Sequence, residues 1–160
     1  MNATGSIRDA ESIFDQILSF QEKGSKIKSQ DVKNLLGLVE INLISQFCGH
    51  LLKKDTSQAL NFLNEKVEKG IDLHEFVKVL INYLRQTLIL KITGPKEARS
   101  IVAGLTEEEF QKMAKRAENF KEDELQKLIG LFLEAENKMR YSSILQLPLE
   151  LAIIETCETN

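Results

Sequence analysis

The chain of 160 residues contains no tryptophan, two prolines, two cysteines and two histidines. Cys48 and Cys157 have neither Cys-x-x-Cys spacing nor a neighbouring histidine pair, so neither a zinc site nor a disulfide framework is indicated, and free thiols in a reducing compartment are expected. His50 and His74 fall in different expected helices and read as surface or capping side chains rather than as a general base. The Gly-x-x-x-x-Gly-Lys-Ser/Thr loop that cradles nucleotide phosphates does not occur, nor does an acidic strand end that could hold magnesium. No serine or cysteine carries a local nucleophile motif. On its own the chain is expected to be no enzyme and to hold no cofactor or metal. No apolar run approaches the ~20 residues needed to cross a bilayer, and Met1-Asn2-Ala3-Thr4 lacks the apolar core of a signal peptide, so a cytoplasmic protein without membrane contact is expected.

What is present points to helices. The composition is 42% hydrophobic and 28% charged, which suits a globular chain with room for one ordinary domain or two small ones. The formal net charge of −3 argues against a surface given over to nucleic acid, which needs concentrated Lys and Arg. A local basic patch remains compatible with it.

Ser6 followed by Asp9 marks a helix start, because the hydroxyl can accept from an orphaned backbone N–H while the carboxylate lies at the positive helix end. Ile7, Ala10, Phe14, Ile17 and Leu18 recur at spacings of three and four and are expected to be buried, which leaves Arg8, Asp15 and Gln16 off that stripe. Arg8 is then a cation in the first turn, where the macrodipole disfavours it. From the residues alone it is either a solvated side chain beside a capping pair or a contact to something outside the helix. A second, short helix is expected from Ser29, with Val32, Leu35 and Leu36 buried and Gly37 as its stop. The joint between the two is long for a helix-turn-helix and the second carries only Lys33 as a cation, which speaks against DNA reading.

From Glu40 onward the pattern is helical almost throughout. Ile44, Phe47, Cys48, Leu51 and Leu52 form one stripe, ended by Lys53-Lys54-Asp55. Thr56 is the expected cap of a helix that buries Ala59, Leu60, Leu63 and Val67 and closes at Gly70. Asp72 with Glu75 opens the longest and most apolar helix, whose expected buried face runs through Leu73, Phe76, Val77, Leu80, Ile81, Leu84, Leu88 and Ile92. Val79, Tyr83, Ile89 and Leu90 widen that face, so this helix is expected at the centre of a bundle, with Arg85 and Lys91 on its polar side. Gly94-Pro95 ends it, and residues 96–104 form either a short helix or a loop. Thr106 and Glu109 make a capping box for a helix burying Phe110, Met113, Ala114 and Ala117. Its Lys112, Lys115 and Arg116, offset by Glu107, Glu108, Glu109 and Glu118, read as a solvated face rather than a phosphate site. Leu125, Leu128, Ile129, Phe132, Leu133, Ala135 and Met139 mark the next helix. The last contains Leu145, Leu147, Leu149, Leu151, Ala152, Ile153 and Ile154, with Pro148 in its first turn. A segment this apolar is expected to be buried in the bundle or against another subunit.

The pattern Gly5-Ser6-x-Arg8-Asp9-Ala10-x-x-x-x-Asp15-Gln16 resembles the sensor-2 helix of bacterial clamp-loader AAA+ ATPases, the gamma/tau subunits of DNA polymerase III. Asp31-Val32 to Leu36-Gly37-Leu38 resembles the end of the lid in that family. The rest is similar to the collar in helix order, in Gly70-Ile71-Asp72, in Leu105-Thr106-Glu107-Glu108-Glu109, and in Leu149-Glu150-Leu151-Ala152. The resemblance implies an all-α fold, with residues 1–38 as the end of a helical lid and residues 39–160 as a helical-bundle collar that oligomerises subunits. It implies that Arg8 reaches the terminal phosphate of ATP held in an ATPase core this sequence does not carry, so that ATP and magnesium belong to the intact subunit. It also implies gamma/tau, delta and delta-prime subunits as partners, in a homo- or hetero-oligomer that loads a sliding clamp on primed DNA. The chain departs from the family at Ser142-Ser143-Ile144-Leu145-Gln146-Leu147-Pro148, where members often have a charged or polar loop with proline. The competing reading from the residues alone is a free-standing helical adaptor that binds partner proteins without nucleotide.

Overall fold

A computed structural model describes residues 39–158 together with Ile7, Glu11, Phe14 and Asp15, which are helical. The chain divides into two compact units, Met1–Leu38 and Val39–Asn160. In the first, Ile7 and Phe14 are exposed, whereas the spacing predicted them buried. Period identifies an apolar face of a helix, but whether the chain covers that face is a separate matter. Arg8 and the short helix expected from Ser29 lie outside the described residues.

The second unit is built of α-helices: α1 (Ile41–Leu52), α2 (Thr56–Glu68), α3 (Leu73–Thr93), α4 (Pro95–Ala98), α5 (Glu107–Ala117), α6 (Glu122–Met139) and α7 (Leu147–Glu158). Local chemistry sets most of these boundaries. Asp72 Oδ1 accepts from the amides of His74 at 2.8 Å and Glu75 at 3.1 Å, opening α3. At α5 the capping box is reciprocal: Glu109 N donates to Thr106 Oγ1 at 3.3 Å while Thr106 N donates to Glu109 Oε2 at 2.8 Å. Such pairs satisfy amides that have no partner inside the helix. The cap of α2 is Asp55 rather than the expected Thr56, since Asp55 Oδ1 accepts from Gln58 N at 3.0 Å and Thr56 is already the first helical residue. Both side chains are good caps, and a carboxylate at the positive helix end adds charge attraction. Gly70 (φ 77°) and Gly94 (φ 82°) take left-handed backbone at the ends of α2 and α3, a conformation open to glycine at little cost. Pro95 then starts the short α4, resolving the stretch after Gly94 in favour of a helix there.

The long α3 lies at the centre, packed against α6 along much of its length and also against α5, α4 and α1, while α7 covers α6 and α2. Phe47 of α1 joins four helices. Its ring meets Phe76 of α3 edge-on at 5.3 Å between centroids, Phe132 of α6 at 6.3 Å and Phe62 of α2 at 5.9 Å. Contacts of this kind contribute roughly 0.5–1.5 kcal/mol each beyond area burial.

The buried face of α3 turns further than expected in its C-terminal half. Leu73, Phe76, Val77, Leu80, Tyr83, Leu84 and Leu90 are buried as predicted, but Ile92 is exposed, and Gln86 and Thr87 are buried as well. The two polar side chains among them fit because each finds a carbonyl: Thr87 Oγ1 donates to Tyr83 O at 2.8 Å and Gln86 Nε2 to Ala103 O at 3.1 Å. A buried donor without such an acceptor costs about 1–3 kcal/mol. Among the described residues every buried side-chain polar atom has a partner.

Candidate assembly surface

Apolar side chains that the second unit leaves uncovered gather where α6 ends and α7 begins. Arg140 and Tyr141 follow α6, a tight turn closes with Leu147 N donating to Ile144 O at 3.1 Å, and Leu149 N and Glu150 N both donate to Gln146 O at 3.0 Å. Pro148 fits because the second position of a helix needs no amide hydrogen. α7 buries Pro148, Leu149, Ala152 and Ile153 against the bundle. That leaves Tyr141 (90% exposed), Ile144, Leu145, Leu147 and Leu151 (54% exposed) facing outward. Leu147 and Leu151 stand four residues apart and so share one side of α7. The expectation that this segment is buried somewhere is thus met only on its inner side within the chain. Five exposed apolar side chains within eleven residues of chain make this stretch a candidate for a protein contact.

A second surface lies between α1 and α5, where Ser45, Gly49, Leu52, Lys53, Lys112, Lys115, Arg116 and Asn119 line a groove of about 330 Å³. Arg116 departs from the expected solvated face: it is half-buried, and its Nη1 donates across the groove to Ser45 O. Gly49 makes this possible, since a Cβ there would stand 2.9 Å from Arg116 Nη1. Beneath, Tyr83 OH donates to Ser45 Oγ at 3.3 Å, so the Ser45 side chain and carbonyl both serve α1's neighbours. Burial raises the Tyr83 phenol above its usual range, opposed by the bond to Ser45. Lys112 is tied to Glu108 at 2.6 Å, one turn earlier on α5, and Glu108 is held below the usual carboxylate range by that bond. Lys53 and Lys115 are exposed on the two sides of the groove. Counting charges along α5 could not reveal Arg116's role, because its acceptor lies 71 residues away in sequence.

A third concavity, also of about 330 Å³, is floored by Leu51, Leu52, Phe120, Leu128 and Leu131 and reaches Thr156 of α7.

Among the described residues, no group of three or more His, Cys, Asp and Glu could hold a metal ion. Burial pushes the Cys48 thiol up to about 12, only partly opposed by the Arg116 charge and a backbone hydrogen bond, so it is a packed thiol and not a nucleophile. His50 stacks obliquely on Phe62 at 5.6 Å between ring centres, and His74 occupies the first turn of α3. Among the described residues no helix is long and apolar enough to cross a membrane.

Residues 27–160 match the family described as DNA polymerase III subunits gamma and tau domain III. The chain is 27% identical over 158 residues to the DNA polymerase III subunit tau of Bacillus subtilis, a match covering 99% of this chain and 27% of that protein. The chain thus spans about a quarter of that relative's length. The Bacillus subtilis DNA clamp loader delta protein is similar in fold, with a TM-score of 0.66 at 17% identity over 97% of this chain and 47% of that one. The all-helical collar architecture expected from the sequence is the one found, and with 134 consecutive residues accounted for by one model, the chain belongs to the domain III family of DNA polymerase III gamma and tau subunits.

Proposed function

We propose that this chain is the assembly module of a clamp-loader subunit, joining gamma/tau-type subunits to one another and to delta- and delta-prime-type subunits so that a ring of ATPase cores can place a sliding clamp on primed DNA. The observation that carries this reading is the uncovered apolar surface from Tyr141 to Leu151, on a domain whose family is that of the gamma and tau subunits. Fully covering one leucine is worth roughly 1.5–3 kcal/mol, so a few such side chains supply a useful share of an association energy. Light scattering of the chain alone and mixed with the delta- and delta-prime-type subunits tests the proposal. A defined multimer is expected, and a monomer in every mixture overturns it.

Within the same reading, Arg8 contacts the terminal phosphate of ATP bound with magnesium by a core outside this sequence. A charge-assisted contact is worth roughly 1.5–3 kcal/mol, enough to bias a two-state lid when it forms only with nucleotide. In the intact subunit, Arg8→Ala is expected to leave assembly unchanged and to impair ATP-driven clamp loading. Undiminished loading refutes the role.

A further inference from the structure

We infer that the outward side of α3 is a docking strip for an acidic amphipathic helix of another protein. The helices packed most closely on α3 are α6, α5, α4 and α1, and they leave one line of it open along its length. Lys78, Arg85 and Ile92 are exposed, and His74, Ile81 and Leu88 are half-buried. These six positions follow one another at intervals of four and three residues, the spacing of the seam by which one helix packs on another. From His74 to Ile92 the line runs about 27 Å at 1.5 Å per residue. α3 thus carries apolar side chains on two sides, one closing the core and the other turned outward. The surfaces described for assembly belong to other helices, so this inference stands apart from the assembly reading.

Charge along the line says what covers it. Lys69, Lys112 and Lys138 each pair with a glutamate four residues earlier, whereas α3 gives its outward cations no such partner. The positions three and four residues from Arg85 are Ile81, Asn82, Leu88 and Ile89, so no carboxylate on α3 stands one turn from it. Lys78 has Glu75 one turn earlier, yet among the described residues neither cation takes part in an ion pair. Lys91, on another side of α3, is held within the chain, donating to Glu118 O at 3.2 Å. A wholly apolar helix laid on this line would strand two charges, which is costly, whereas a carboxylate opposite each makes the same burial a paired contact. Charged residues at seam positions also fix the register and the partner that is accepted. The matching occupant is therefore a helix with apolar side chains at heptad spacing and two acidic residues, seven apart, opposite Lys78 and Arg85.

Two other occupants fit less well. A second copy of α3 laid parallel would bring Arg85 to Arg85, and laid antiparallel would bring Arg85 to Ile81 and Lys78 to Leu88. Neither arrangement puts a carboxylate opposite a cation. Nucleic acid is held by concentrated Lys and Arg together with aromatic side chains on which bases stack, and here Lys78 and Arg85 stand among isoleucine and leucine.

Fluorescence anisotropy with a defined probe tests the docking. The probe is a synthetic three-heptad helix with leucine at its seam positions apart from two glutamates seven residues apart, and its control carries lysine in place of both glutamates. The full chain should bind the acidic probe with about tenfold or greater preference over the control. Lys78→Glu/Arg85→Glu should reverse that preference, so that the lysine peptide becomes the tighter ligand. Ile92→Asp should weaken the acidic probe by about tenfold and keep its preference over the control. All three side chains are exposed, so circular dichroism should show both variants folded. The inference is overturned if the full chain does not bind the acidic probe, if it binds both peptides alike, if the double variant keeps the parent's preference, or if Ile92→Asp binds as the parent does. A single-stranded DNA oligonucleotide that displaces the probe from the parent chain and fails to bind the double variant assigns the strip to nucleic acid and overturns it as well.

Discussion

Gly49→Ala should change sign according to what stands at position 116. In an ordinary helix the substitution stabilises by roughly 0.5–1 kcal/mol, because alanine loses less conformational freedom on folding. Here the new Cβ would stand 2.9 Å from Arg116 Nη1, closer than the two atoms can approach. The guanidinium is the far end of a flexible side chain and can swing away, and what that movement puts at stake is its hydrogen bond to Ser45 O. A hydrogen bond from a charged donor is worth roughly 1.5–3 kcal/mol, and the low end applies because Arg116 is half-buried. Single Gly49→Ala should therefore destabilise by about 0.5–1 kcal/mol. In an Arg116→Met background the obstacle is gone, and the same change should stabilise by up to about 1 kcal/mol. Urea unfolding of the parent, both single variants and the double variant gives the coupling between the sites. If Gly49→Ala shifts stability by the same amount in both backgrounds, the passage of Arg116 over Gly49 is not what keeps a glycine in the middle of α1.

Two further outcomes follow from caps and titration. Asp55→Ala should cost about 1 kcal/mol in urea unfolding, whereas Thr56→Ala should stay within about 0.5 kcal/mol, because only Asp55 accepts from the first turn of α2; the reverse order would restore Thr56 as the cap. The Cys48 thiol, held near 12 in the folded chain, ionises near its ordinary value once unfolded, so above about pH 9 the unfolded chain binds fewer protons than the native one. Stability is then fully present below that pH and falls above it by up to about 1.4 kcal/mol per pH unit. Cys48→Ala should flatten this alkaline slope in urea midpoints measured from pH 7 to pH 10.5, and an unchanged slope assigns the loss to other groups, Tyr83 foremost.

The helices of the second unit were legible because their signals are local. Asp72, Gly70, Thr106 with Glu109, and Gly94-Pro95 each act within four residues, a span that a sequence displays directly. Where two good caps adjoin, as at Asp55 and Thr56, the sequence does not choose, and the chain takes the carboxylate. The C-terminal half of α3 shows a second limit. Gln86 and Thr87 carry no apolar signal, and their burial depends on Ala103 O and Tyr83 O facing them, while Ile92 continues the apolar period and is exposed. Arg116 shows a third: its neighbours in sequence are acidic, and its acceptor belongs to another helix. The family resemblance, carried by Gly5–Gln16, Asp31–Leu38, Gly70–Asp72, Leu105–Glu109 and Leu149–Ala152, located the fold at once, and residues 27–160 match that family, yet it named no residue of the groove between α1 and α5.

Why α7 keeps exposed leucines follows from what its two sides must do. Its inner residues, Leu149, Ala152 and Ile153, already close the core against α6 and α2, so Leu147 and Leu151 are not required for the fold. Polar residues at those two positions would leave the core intact and improve solubility, because exposed apolar side chains contribute little until they are covered. The second unit solves the same problem elsewhere with charge: α5 places Glu107, Glu108, Lys112 and Lys115 outward, and α6 places Glu134 against Lys138 at 2.7 Å. Outward leucine at the start of α7 therefore answers a requirement from outside the chain.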